Sequence, residues 1–154
     1  MRWWPNSRVP YRKTAGNAGS AGVRTYVRLR VGSEMYAMAV EHVLEVRDFG
    51  TLAAVPGSTP AMLGVCNLRG QILPVVDLSL LLGISRTASP ERLLVAGTGG
   101  LKAGFAIDEV SMVGELADPA EEAESDLLVG AMLVGGELVG VIDVPQVFAS
   151  LEAG

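Results

Sequence analysis

The sequence predicts an all-β fold with short helices, built as two small five-stranded β-barrel subdomains packed together. Three observations carry that expectation. First, the 154 residues are 49% hydrophobic and 19% charged, which excludes a disordered chain, a collagen and a coiled coil. Second, short apolar runs alternate with polar residues and are separated by tight glycine-rich turns, the spacing of barrels and sandwiches. Third, the chain repeats itself. Gly64, Gly70 and Asp77 recur as Gly130, Gly136 and Asp143 at a constant spacing of 66. Ala39-Val-Glu-His-Val43 matches Ala106-Ile-Asp-Glu-Val110 at a spacing of 67. Two copies are too few for a solenoid, so the reading is a duplicated subdomain, with halves at about 24–85 and about 91–152.

The elements follow in order. Residues 25–31 (TYVRLRV) alternate as a strand, with Tyr26 out of phase with Val27, Leu29 and Val31. Gly32-Ser33 turns the chain, and residues 35–40 return. Residues 43–49 form a third strand after one helical turn, and residues 57–60 (GSTP) form a loop. Residues 64–68 and 71–76 pair across Arg69-Gly70, where Gly70 supplies the positive φ of a tight turn. Ile72, Leu73, Val75 and Val76 are apolar on both faces, which predicts a central strand covered on both sides. Pro74 within it requires a bulge or an unpaired position. Asp77 fits a helix N-cap, with Leu78, Leu81 and Leu82 facing the core and Gly83 closing the helix. In the second half, residues 93–96 and 102–107 flank a glycine-rich turn; 109–116, 127–134 and 137–142 follow. Asp143 then caps a last helix carrying Val147, Phe148 and Leu151. Neither half has much core alone, so the two pack together and leave a groove between them.

Charge is uneven. The net charge is −5, yet residues 1–30 hold seven basic side chains and no acid. Residues 1–22, with Trp3, Trp4 and Tyr11 and the small polar stretch TAGNAGSAG, read as a basic flexible tail ahead of a domain spanning 23–152. Such a tail could act as an electrostatic arm for nucleic acid or anionic lipid, but it lacks a periodic basic face. Nucleic acid is therefore not the expected partner. An acidic run from Glu115 to Asp126 reads as a solvated loop. The tail has no apolar core of a secretory signal, and no stretch is long and apolar enough to span a membrane. A single cysteine cannot form an internal disulfide, which fits a reducing, cytoplasmic setting.

No catalytic constellation is present. His42, the only histidine, sits in a mixed charged and apolar segment and reads as a boundary residue. Cys66 lies in an apolar strand and reads as a small hydrophobe. Asp77 and Asp143 each have a capping role that explains them better than a carboxylate pair. GTGGLKAG lacks the order of a phosphate-binding loop. No metal set, no cofactor and no small-molecule substrate is implied, which leaves a binding module.

At residues 64–78 the run GVCNLRGQILPVVDL resembles the signature of the CheW-like chemotaxis coupling proteins, G-V-x-N-L-R-G-x-I-x-P-V-V-D-L. Tyr26 to Val31, then Gly32, Tyr36, Val40, Val43, Glu45, Val46 and Arg47, fall where that family has its first strands, and Pro60 precedes the signature as it does there. The second half matches more loosely through GFAIDEVSMV and GELVGVIDV, so the likeness covers about 24–152. The resemblance implies two intertwined SH3-like barrels. It implies a non-enzymatic scaffold adaptor joining chemoreceptors (methyl-accepting proteins) to the CheA-type histidine kinase, whose regulatory domain shares the fold. Contact with the membrane would come only through receptors. Barrel ends pair pseudo-symmetrically in that family, and the receptor tip docks in the groove between subdomains. By match, Val43, Glu45, Arg47, Gly64 and Arg69 are receptor or kinase contact candidates. Asn67, Leu68, Gly70, Pro74 and Asp77 are structural, as are Gly130, Gly136 and Asp143 from the repeat. Arg69 is either an ion-pair partner or a surface contact. The stretch 117–126 is shorter than in most members; loss of a strand or loop of the second barrel there would give the alternative reading, a specialised member that binds receptor or kinase without bridging.

Overall fold

The computed structural model describes residues 23–58, 60–85, 89–117, 119, 122–123 and 125–153. The basic tail lies outside them. The alternating runs become β1 (Val23–Val31), β2 (Glu34–Ala39), a 3-10 turn (Val40–His42), β3 (Val43–Asp48), β4 (Met62–Leu68) and β5 (Gln71–Asp77). The chain continues through α1 (Leu78–Leu82), β6 (Arg92–Thr98), β7 (Leu101–Ile107), β8 (Glu109–Ala117), β9 (Leu128–Val134), β10 (Glu137–Ile142) and α2 (Val144–Ala153). No strand is lost at the short connection: β8 and β9 flank it, and both sheets have five strands.

The strand order is β8-β1-β2-β10-β9 in one sheet and β3-β6-β7-β5-β4 in the other. The repeat copies one order onto the other, with β1 to β5 matching β6 to β10. The halves 24–85 and 91–152 are thus repeats of sequence but not units of packing, which corrects the sequential division into subdomains. Each sheet takes the first two strands of one half and the last three of the other. The halves meet within each sheet at a parallel pair, Gly140 opposite Tyr36 in the first and Val76 opposite Phe105 in the second.

This exchange explains why β2, β6 and β7 are apolar on both faces, and why Tyr26 of β1 is buried on the side it shares with Arg24, Arg28 and Arg30. On one face, Val27, Leu29, Val31 and Met38 share a core with Leu94, Phe105, Ile107 and Phe148 between the two barrels. Phe105 and Phe148 meet edge to face at 5.9 Å and 86°. On the other face, Tyr26, Ala37 and Ala39 join Met132, Val139 and Val141 inside the first barrel. Leu93 and Val95 join Leu68, Leu73 and Val75 inside the second. Tyr26 is out of phase because it fills a different core. Cys66 packs against the second barrel's core, partly buried.

The second sheet is laced shut by the chain leaving β3. Ala53 and Val65 exchange backbone hydrogen bonds of 2.9 Å in both directions, joining the extension of one edge strand to the other edge. Asp77 caps α1, its Oδ1 accepting from Ser79 N at 3.0 Å and Ser79 Oγ at 2.6 Å. Gly83 ends that helix in the left-handed conformation at φ 73°. Asp143 caps α2 by accepting from Gln146 N at 3.1 Å. Pro74 sits one residue before the β5–β7 ladder begins at Val75, so it interrupts no bridge to β7. The β4–β5 ladder is irregular between Met62 and Gly64. Ile72 departs from expectation. It is 68% exposed, because it lies at the hairpin end, beyond the reach of β7.

Candidate functional site

The polar site begins with an irregular edge strand. The register of β3 on β6 shifts between Val43 and Glu45. This lets Val43 and Val46, three apart, both pack on the shared core, and it leaves Leu44 exposed. Glu45 and Arg47 then share the other side.

Arg69 reaches Glu45 from the β4–β5 turn, bringing the two margins of the second sheet together. Its Nη2 donates to Glu45 Oε1 at 2.6 Å, and its Nη1 lies 3.4 Å from Oε2. Arg47 Nη1 lies 3.4 Å from the same Oε2. The hydrogen bond from Arg69 is the main reason the Glu45 carboxyl is held below its usual range; partial burial opposes it, and the charges of Arg69 and Arg47 add to it. The same bond and charge raise Arg69 above the ordinary guanidinium value. Arg69 nevertheless remains 70% exposed along its side chain.

The turn itself is unusual. Arg69 has φ 50° and Gly70 φ 86°, and among the described residues Arg69 is the only non-glycine at positive φ. Asn67 holds this turn, its Oδ1 accepting from Gly70 N at 2.9 Å. The equivalent turn of the repeat has Gly135 and Gly136 at φ 58° and 86°.

The structure therefore brings Glu45, Arg47 and Arg69 together on one surface. Val43 supports them from the core side. Gly64 is buried, and a Cβ there would collide with the Ala53 carbonyl, so the residue serves the lacing of the barrel. Leu68 fills the second barrel, and Gly130 is buried in the first.

Motif reasoning missed the lining of an apolar cleft of about 380 Å³ between the second sheet and α2. Met62, Pro74, Val76, Leu101, Phe148 and Leu151 line it, with Lys102 and Glu152 supplying charge. Its residues come from five separate segments, so only the general expectation of a groove pointed to it. His42 sits at the crossover between sheets, its Nδ1 3.3 Å from the Gly97 carbonyl. The repeat fixes its other crossover with Glu109 against Arg30 at 3.7 Å. Among the described residues, no three His, Cys, Asp or Glu side chains gather to hold a metal, and no helix is long and apolar enough to cross a membrane.

The pattern of the CheW-like domain family matches residues 25–152. The chain belongs to the CheW-like family. It is 29% identical over 142 residues to the probable chemotaxis protein CheW of Rhizobium etli, covering 86% of this chain and 92% of that one. To chemotaxis protein CheW of Rhizobium meliloti it is 28% identical, covering 85% and 91%. The scaffolding protein TtCheW of Thermoanaerobacter tengcongensis has the same fold, with a TM-score of 0.72 and 23% identity over 79% of this chain and 84% of that one. The CheW-like chain thus has the family's two barrels, and the SH3-like arrangement fits them.

Proposed function

We propose that this CheW-like chain is a non-catalytic, cytoplasmic adaptor of chemotaxis-type signalling that couples chemoreceptors to a CheA-type histidine kinase. Family membership over nearly the whole domain, and relatives named as chemotaxis proteins, support this reading. The observation that carries the site is Arg69. Its duplicate position uses glycine at almost the same φ, so the backbone does not need an arginine there. Holding a side chain in that conformation is a cost that a contact offsets.

The adaptor works as a rigid body with two surfaces. The Glu45, Arg47 and Arg69 cluster at the end of the second barrel pairs with the kinase regulatory domain, where charge sets orientation and on-rate. The apolar cleft beside α2 takes the helical receptor tip, as a groove takes one face of an amphipathic helix. A shared core between the barrels keeps the two surfaces in fixed relation.

The test is binding to a purified regulatory domain and, separately, to a receptor cytoplasmic tip. Both should bind. Arg69→Glu should weaken kinase-domain binding at least tenfold while leaving receptor-tip binding within twofold. The swapped pair Glu45→Arg with Arg69→Glu separates the two readings of Arg69. If the swap recovers stability but not binding, Arg69 is a contact. If it recovers both, Arg69 is an ion-pair partner only. Binding to one partner alone makes this a single-partner member, and binding to neither rejects the adaptor reading.

A further inference from the structure

The duplication builds the same crossover twice, and only one copy fills it. In the first, β1 and β2 turn at Gly32-Ser33, and the residues that join β7 to β8 lie against that turn. Gly32 N donates to Asp108 Oδ2. Arg30 occupies the space beside them. Its Nη1 donates to the Gly32 carbonyl at 2.7 Å, and its Nε lies 3.7 Å from Glu109 Oε2.

In the second copy, β6 and β7 turn at Gly99-Gly100, with Gly99 at φ 57° against 62° for Gly32. At the spacing of 67, Glu41 stands for Asp108, His42 for Glu109 and Gly97 for Arg30. The counterpart of the arginine thus has no side chain. A pocket of about 440 Å³ lies there, lined by Glu41, His42, Leu44, Gly99, Gly100 and Lys102 among others. Strand β6 cannot fill it from Gly97, because a Cβ would meet the Leu101 carbonyl at 2.9 Å and Leu44 Cδ1 at 3.2 Å.

The acceptors in this pocket suit a guanidinium. His42 Nδ1 lies 3.3 Å from the Gly97 carbonyl, so in the neutral ring it carries the proton and leaves Nε2 as an acceptor. That Nε2 lies 3.7 Å from Glu41 Oε2. Two acceptors at this separation, one of them anionic, match the planar fork of neighbouring guanidinium N–H groups better than they match an ammonium. The Glu41 side chain is 60% exposed, so the anionic side opens to solvent. We infer that this pocket receives an arginine side chain of a partner protein, in the place that Arg30 holds in the other copy. The inference stands apart from the adaptor reading, since Glu41 and His42 belong neither to the Glu45 cluster nor to the apolar cleft.

An amide NMR titration of the full chain tests it, with N-acetyl-arginine amide as the probe and the matching citrulline and lysine amides as controls. Citrulline keeps the shape of arginine without its charge. The arginine probe should give saturable shifts confined to residues 41–44 and 97–102, with an affinity about tenfold above either control. Glu41→Gln should weaken it about tenfold while leaving the thermal melt unchanged, because the side chain is exposed. Shifts that do not saturate, citrulline binding as tightly as arginine, or an affinity that Glu41→Gln leaves intact each overturn the inference. Binding that appears only in Lys102→Gln also overturns it, since the chain's own lysine would then hold the site.

Discussion

The turns at Arg69-Gly70 and Gly135-Gly136 occupy equivalent places in the two barrels. Their φ values are nearly the same, 50° and 86° against 58° and 86°, so both make the same bend. One does so with two residues suited to it, the other with an arginine whose guanidinium grips Glu45 and still faces solvent. The edge strands differ likewise. Val46 is packed on the shared core, whereas Val113 is exposed. The last helices differ in length, five residues in α1 and ten in α2, and the apolar cleft lies against the longer one. Where the copies agree, they meet a demand of the backbone: a cap, a tight turn or a buried face. Where they disagree, the two copies present different surfaces to solvent.

The comparison breaks most directly if the barrels come apart independently. Phe105→Ala removes a ring from the shared core and should cost about 3–5 kcal/mol. Leu73→Ala, within one barrel, should cost about 2–5 kcal/mol. Urea unfolding should show one transition in each, because the exchanged strands bind both barrels into one unit. Two separated transitions would show that the barrels are independent. Gly64→Ala sharpens the contrast between a buried glycine and one in an open turn. It should destabilise by about 1–3 kcal/mol, since both its φ and the Ala53 carbonyl oppose a Cβ. Gly136→Ala, which meets nothing within 4 Å, should cost less in the same melts. Asp77→Ala and Asp143→Ala should each lose about 1 kcal/mol as caps, and unequal losses would separate the two helices.

Two titrations give smaller effects of opposite sign. Glu45 is held below its usual range, so its pairing is present above the ordinary carboxylate pKa and is lost only as pH falls through the lowered value. An NMR titration of its carboxyl should show a higher midpoint in Arg69→Gln. Tyr36 is pushed up to about 12 by burial first and by Glu34 second. Its contribution is intact below the ordinary tyrosine value of 10 and is lost as pH rises toward about 12. Alkaline melts of Tyr36→Phe should lack that decline.

Much of the molecule was legible in the residues taken a few at a time. Asp77 and Asp143 announced their caps, Arg69-Gly70 its turn, and the spacing of 66 the duplication, because these depend on neighbours along the chain. The phase of Tyr26 hinted at a second buried face. The exchange of strands was not legible. A repeat says that two halves are alike, but not whether each keeps its own first hairpin or lends it to the other. That choice depends on covering both faces of β1, β2, β6 and β7 at once, through pairs such as Gly140 with Tyr36. The same holds for the burial of Gly64 under Ala53, the exposure of Ile72, the approach of Arg69 to Glu45 and the cleft beside α2. Local chemistry determined which segments became strands, turns and capped helices. Only the tertiary structure decided which of them met, because burial and pairing between distant segments are properties of the whole fold.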